Sequence, residues 1–375
     1  MENLILDNIC RMRQGMPLFT SGQHKNRYGI VSNEFDGSTI AYYHSCPIYT
    51  ANNETVNMTF YQCGHVYKGT GSSCEMTVSN SIILKNQYGS CDIYIANKQK
   101  PQYTDAHGIY GENYDVVRTI NGVLLKIHYN QEPCSIFLKA DKCFTKIQKN
   151  NKCFAVMKDK SEPFVVVSCI GAADNAGNVI APVILEHKEV SEGHEITFTS
   201  YSPYTKEILI EINLYEPKLF QDTTVESNDV DSNNMYGGTA FIGNTKAFGR
   251  QWLYLRPDLS KIHNYPGKKI EYVKLNIPRL NKGVDIAVFG IRERFCSRRS
   301  TWNNKVDSTH KLAECRVQGP YYSIDLTDIL VDKRTGMLKK SNGLLLKALG
   351  DSGFAAISTA DSYCMPQILE IKYIN

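Results

Sequence analysis

Tryptophan is scarce in this chain: Trp252 and Trp302 stand alone against 23 Tyr and 14 Phe. The aromatic content is carried by residues that favour pleated, half-buried surfaces. No stretch approaches the roughly 18 uninterrupted apolar residues of a membrane-spanning helix, so no membrane span is expected. Charge of one sign is also missing. Lys and Arg number 42 and Asp and Glu 38, leaving a net charge of +4, which is too even for a nucleic-acid binder by composition alone. Twelve cysteines occur without a CxxC pair, which argues against a zinc ribbon or a thioredoxin-type site. Scattered singly, most read as small buried hydrophobes in a reducing compartment. Cys10 differs, because it sits in a polar N-terminal arm where an intermolecular bond is one reading and an inert thiol the other.

Catalytic signatures are missing as well. There is no GxSxG elbow, HExxH pair, Walker A loop or dinucleotide-binding glycine fingerprint. The nine histidines are dispersed. On a strand, Cys63 and His65 would share a face, yet no third group nearby orients them; His107 is similarly isolated. Glu2 and Asp7 interrupt the only short apolar run at the N-terminus, so no signal peptide is read. Synthesis in the cytoplasm, with a final place on a spore, virion or cell surface, is the expected localisation. On that basis the sequons at Asn53 and Asn57 are chance matches.

What is present is a succession of short apolar segments: TIAYYHSCPIY (39 to 49), VNMTFYQC (56 to 63), SIILK (81 to 85), SCDIYIAN (90 to 97), GVLLKIHY (122 to 129) and CSIFLKA (134 to 140). PFVVVSCI (163 to 170), VIAPVILEH (179 to 187), EITFTSYS (195 to 202) and EILIEINLY (207 to 215) continue the series. Turn formers such as Asn121-Gly122 and Gly177-Asn178 punctuate them. Ile196 and Phe198 alternate with Thr197 and Thr199, the period of a half-buried strand. The nearly continuous apolar run of EILIEINLY fits a strand covered on both faces. Helical pattern is confined to the first dozen residues and to 324 to 340. The fold class expected is all-β: a multi-domain β-sandwich protein with an arm (1–23), a β domain (24–100), a β-sandwich domain (101–216) and a C-terminal domain (217–375). The polar stretch 97 to 114 serves as linker or long loop in that division.

The C-terminal part carries a recognisable order of segments. Asp222 and Tyr236-Gly237-Gly238 open it, Pro257-Asp258-Leu259 follows, then Thr301-Trp302-Asn303-Asn304, Asp325-Leu326-Thr327, Gly343-Leu344-Leu345-Leu346-Lys347, and Pro366 before the last strand. This order resembles the DNRLRE domain family, which includes carbohydrate-binding modules that recognise alginate. The resemblance covers residues 219 to 375 and implies a jelly-roll sandwich. It departs at two places: the Trp usual after the Asp-Val-Thr segment is absent, and Met365 replaces a common Arg.

Three features carry candidate chemistry. Trp302 offers a stacking face for a sugar ring; alternatively its ring closes one end of the sandwich while Asn303 and Asn304 shape the turn. Trp252, alternating with Leu253, Tyr254 and Leu255, reads as structural. Arg292, Arg294, Arg298 and Arg299 surround Phe295 and suit a polyanion, since guanidinium groups bond carboxylate, sulfate or phosphate bidentately; a solvated loop is the alternative. Asp229, Asp231 and Asn233 have the opening spacing of an oxygen-ligand calcium loop, but Gly at the sixth position and Glu at the twelfth are absent. That excludes an EF-hand and leaves an ordinary acidic loop or a looser structural calcium, with no other cofactor expected.

The function expected is non-catalytic binding of a polysaccharide or cell-surface glycan, anionic in particular, by an adhesive surface protein. Two alternatives stand beside it. One is a self-assembling structural subunit of a fibre, virion or spore-type coat, a homo-oligomer joined through the N-terminal arm. The other is a polysaccharide-degrading enzyme whose catalytic domain lies in residues 24 to 215.

Overall fold

The structure, a computed structural model, describes residues 23 to 375 except 35, 51–53, 55, 57–58, 97–101, 106–107, 145, 264 and 317–318. Residues 1 to 22 of the N-terminal arm, Cys10 among them, both sequon asparagines and His107 lie outside the described residues. Almost every described element is a strand, and every strand pair is antiparallel. The all-β, multi-domain sandwich read from the alternation is what the chain forms. The exceptions are brief: Thr327–Leu330 is a single α turn, and Leu259–Lys261 a 3-10 turn started by Asp258, whose carboxylate accepts the Ser260 N–H.

Two compact units divide the chain. The first comprises Thr50–Glu216 with Tyr236–Gly238. Its eight-stranded sheet runs in the order Ile184–Val190, Gly193–Thr199, Cys134–Ala140, Gly89–Ile95, Ile82–Asn86, Glu75–Val78, Val66–Thr70 and Tyr61–Cys63. A nine-stranded sheet has Pro163–Ala173, Glu207–Leu214 and Gly122–His128 at its centre. Alternate residues of both sheets form one core, among them Leu84, Ile93, Leu138 and Phe198 from the first and Leu125, Val167 and Ile210 from the second. Ile208 through Leu214 are all buried, as the continuous apolar run demands.

This sheet order also explains where the units depart from the sequence-based division. Gly89–Ile95 pairs with Cys134–Ala140 across the stretch 97 to 114, so the segments on either side of that stretch share one sheet and one core. The stretch itself supplies the short strands Tyr103–Thr104 and Gly108–Tyr110. VIAPVILEH splits at Pro182, which lacks a ladder donor: Val179–Ala181 joins the nine-stranded sheet and Ile184–Val190 the eight-stranded one. Cys63 ends its strand and His65 lies in the turn beyond Gly64, whose φ of 63° is left-handed, so strand alternation does not relate the two side chains.

The second unit comprises Pro217–Met235 and Thr239–Asn375, together with the described residues up to Tyr49. One sheet is ordered Gln23–Asn26, Gly29–Asn33, Thr39–His44, Ile368–Ile374, Lys269–Pro278 and Tyr321–Asp325. The other is ordered Ser308–Cys315, Ile286–Ile291, Leu344–Ala348, Gly249–Pro257, Thr239–Thr245 and Phe354–Ser358, with Phe220–Glu226 also pairing Gly249–Pro257. Val31, Ala41, Tyr43, Leu275 and Ile371 from the first sheet meet Ile242, Leu253, Leu255, Val288 and Leu346 from the second. Residues 24 to 49 therefore belong to the C-terminal sandwich: Thr39–His44 pairs along the whole of Ile368–Tyr373, covering what would be an open edge.

Candidate functional site

Strand alternation gives the seven-stranded sheet a second face. Leu253, Leu346 and Val288 point into the sandwich core, so Trp252, Lys347 and Ala287 lie in a row on the opposite side, with Ala287 in register with Lys347 and Val225 with Trp252. The chain between Ile291 and Ser308 folds over this face. It buries Phe295 against Tyr254, with ring centroids 5.6 Å apart, and builds a small cluster with Val225, Ile291 and Leu345.

Trp302 joins that cluster at its margin. Its ring meets Trp252 with centroids 4.8 Å apart at an interplanar angle of 46°. Two ammonium groups sit on the pair. Lys305 Nζ is 4.4 Å from the Trp302 centroid and 5.6 Å from that of Trp252, while Lys347 Nζ is 4.0 Å from Trp252 and 4.8 Å from Phe289. All five side chains are half-buried, with surface left for a partner. Burial first, and then the field of Lys305, hold the Lys347 pKa below the ordinary lysine value, with Asp307 opposing. Neither lysine has an ion-pair partner among the described residues. Lys305 Nζ donates to Trp302 O at 2.7 Å, which pins the cation to the loop that carries the ring.

Side-chain amides fasten this loop. Asn304 Nδ2 donates to Arg299 O at 2.9 Å and its Oδ1 accepts the Thr301 N–H at 2.7 Å. Asn303 Nδ2 donates to Asp231 Oδ1 at 2.8 Å while the Asn303 N–H reaches Val230 O at 3.1 Å. Asn233 Nδ2 donates to Ser297 O at 2.6 Å and Ser300 O at 3.0 Å. Tyr254 Oη donates to Val306 O at 2.6 Å and Asn342 Nδ2 to Arg292 O at 2.8 Å. The amides of the Thr-Trp-Asn-Asn segment thus shape the turn, and the ring of Trp302 packs at a sheet face rather than at an end of the sandwich.

Of the Asp229, Asp231 and Asn233 set, the last two belong to the same bracing. Asp231 accepts from Asn303, and Asn233 directs its N–H groups to carbonyls, a donor arrangement that a cation would have to displace. Among the described residues, no three His, Cys, Asp or Glu side chains stand together as metal ligands. Arg292, Arg294, Arg298 and Arg299 are all exposed along the covering loop. Arg294 lies near Arg256 and, after burial, contributes to lowering the Arg256 pKa. Asp222, at the head of the family-like order, is buried; its carboxylate accepts the Ala360 N–H at 2.6 Å. Burial, followed by the neighbouring Asp361 carboxylate, pushes its pKa well above the usual range.

No family model matches the chain, and no curated protein matches it. The resemblance of residues 219 to 375 to DNRLRE modules thus rests on the segments quoted from the sequence. Trp252 and Lys305 are candidate site residues that those segments do not contain, and Lys347 ends the Gly343-Leu344-Leu345-Leu346-Lys347 segment without being marked there as a contact residue. Lys305 has a local signal, standing three residues after Trp302. Trp252 and Lys347 have none, because they come from strands about a hundred residues apart that only the sheet order brings together.

Proposed function

We propose that the C-terminal sandwich binds an anionic polysaccharide, without catalysis, through Trp252, Trp302, Lys305 and Lys347, with the exposed arginines 292, 294, 298 and 299 extending the contact. The observation that carries this reading is the pair of ammonium groups held on two indole rings with no ion-pair partner among the described residues, Asp307 offsetting the field at Lys347 only in part. Such an arrangement is repulsive by itself, and an anion lying across the rings relieves it. Stacking supplies area at small entropic cost, and the cations select a carboxylated or sulfated sugar over a neutral one. The braced loop means that little ordering entropy is lost on binding.

The test is a panel of carboxylated, sulfated and neutral polysaccharides presented to the full chain, since residues 24 to 49 complete the sandwich. Retention by anionic members, weakened by salt and by Lys305→Gln or Lys347→Gln, is the expected result. Equal retention of neutral and anionic members, or none at all by a folded protein, refutes the proposal.

A further inference from the structure

Outside that face, the hairpin of Ile184–Val190 and Gly193–Thr199 in the first unit carries an unusual pair. His187 Nε2 and His194 Nδ1 stand 3.0 Å apart, with both rings packed on the buried Phe154 at centroid distances of 4.7 and 5.1 Å. Leu185, Phe198 and Ile196 of the same hairpin belong to the core, so the two imidazoles lie on the core-facing side where the apolar residues end. Glu189 is directly cross-strand from His194 and two residues from His187, which puts all three on one face. The Glu189 side chain is exposed and able to rotate.

We infer that His187 and His194 chelate a divalent late transition metal, nickel or copper in class, with Glu189 as a third ligand after rotation. The bite distance supports this choice. The two nitrogens face each other in a hydrogen bond; once each ring turns its lone pair from the other nitrogen to a metal about 2.0–2.1 Å away, nitrogens that keep the 3.0 Å separation subtend about 90° at the metal, the cis angle of tetragonal and octahedral sites rather than the wider tetrahedral angle. Phe154 packs against both rings, stacked on His187 and tilted to His194, and keeps the two side by side. Binding moves the bridging N–H proton to the far nitrogen of its own ring and releases none. Lys149 Nζ, 3.5 Å from His187 Nδ1, is exposed and turns away as that nitrogen takes the proton. No third His, Cys, Asp or Glu donor is already in place among the described residues, so water fills the positions that Glu189 does not.

Nickel chloride titrated into the chelator-stripped full chain tests the site by calorimetry. One saturable equivalent is expected beyond any binding by exposed thiols. His187→Gln and His194→Gln, which keep a hydrogen-bonding side chain of similar size, each weaken it at least about tenfold. Affinity and stoichiometry unchanged in both variants overturn the inference. A measurement needing no variant is the proton spectrum of the nickel-loaded wild-type chain. Shifts of the carbon-bound protons of two imidazole rings on loading, paramagnetic or not, support the site, and a spectrum in which no histidine ring proton moves refutes it.

Discussion

Deleting residues 1 to 216 should leave the C-terminal fragment unable to fold, although a division of the chain at residue 217 makes it a complete domain. The loss is concentrated in the hairpin and strand that flank Ile368–Ile374. Removing them strips the partner from six register positions, Ile368 to Tyr373, which pair with Thr39 to His44 in the full chain. It also takes away Tyr43, whose hydroxyl accepts the His263 N–H at 3.0 Å. Ile30, Val31, Tyr43 and Ile48 are each 3% exposed or less. At about 1.5–3 kcal/mol for each large apolar side chain, their loss amounts to about 6–12 kcal/mol. A domain's whole stability is about 5–15 kcal/mol, so the deletion removes most or all of it. The assay compares residues 217 to 375 alone with the same fragment given residues 23 to 49 as a peptide, followed by circular dichroism and thermal melting. Cooperative unfolding should appear only with the peptide. A sharp transition in the fragment alone, at the midpoint of the full chain, refutes the reasoning.

Three smaller perturbations probe other parts of the structure. Burial depresses the His44 pKa to about 4, partly offset by its bond to Tyr28 O. Between about pH 6.5 and 4 the unfolded chain therefore holds a proton that the native chain lacks. Stability is full above that window and falls as pH drops through it, by about 2–3 kcal/mol at about pH 4.5. Urea unfolding of wild type and His44→Gln at both ends of the window measures the difference; an equal pH dependence in the two contradicts it. Asn233→Ala should cost about 1–3 kcal/mol by leaving Ser297 O and Ser300 O without their donor, while added calcium leaves the wild-type melting midpoint unchanged. A calcium-dependent rise would instead support the metal reading of that loop. Gly69→Ala should destabilise the first unit by about 1–3 kcal/mol, because a Cβ there lies 2.0 Å from Arg118 Nη1. The buried guanidinium cannot retreat without loosening its bonds to Thr59 O and Thr70 O. A change below about 0.5 kcal/mol in denaturant unfolding would show that the packing has room to spare.

The strands are legible in the sequence because one face of each is buried, and alternation such as Ile196, Phe198 against Thr197, Thr199 survives any choice of partner. Partner choice is not legible. Nothing in TIAYYH marks it as the neighbour of a strand more than three hundred residues later, and nothing in 97 to 114 shows that the strands before and after it share a sheet. Pairing is decided by long-range packing, which local pattern does not encode. The same limit applies to the candidate site. Trp302 stands out by composition and Lys305 by proximity, but Trp252 reads as structural because its strand alternates like any other. Its significance comes from Lys347 on the neighbouring strand and from the loop that Asn233, Asn303 and Asn304 hold over both.

The binding proposal is tested most directly by the affinity of the full chain for a carboxylated polysaccharide as a function of salt, measured for wild type, Trp302→Ala and the Lys305→Gln, Lys347→Gln pair. Each variant is first shown to melt cooperatively. The expected result is a loss of at least about tenfold in Trp302→Ala, equivalent to about 1.4 kcal/mol, with the double lysine variant losing affinity and part of the salt dependence, the exposed arginines keeping the rest. Unchanged affinity and salt dependence in both folded variants would place binding elsewhere and contradict the assignment of this face.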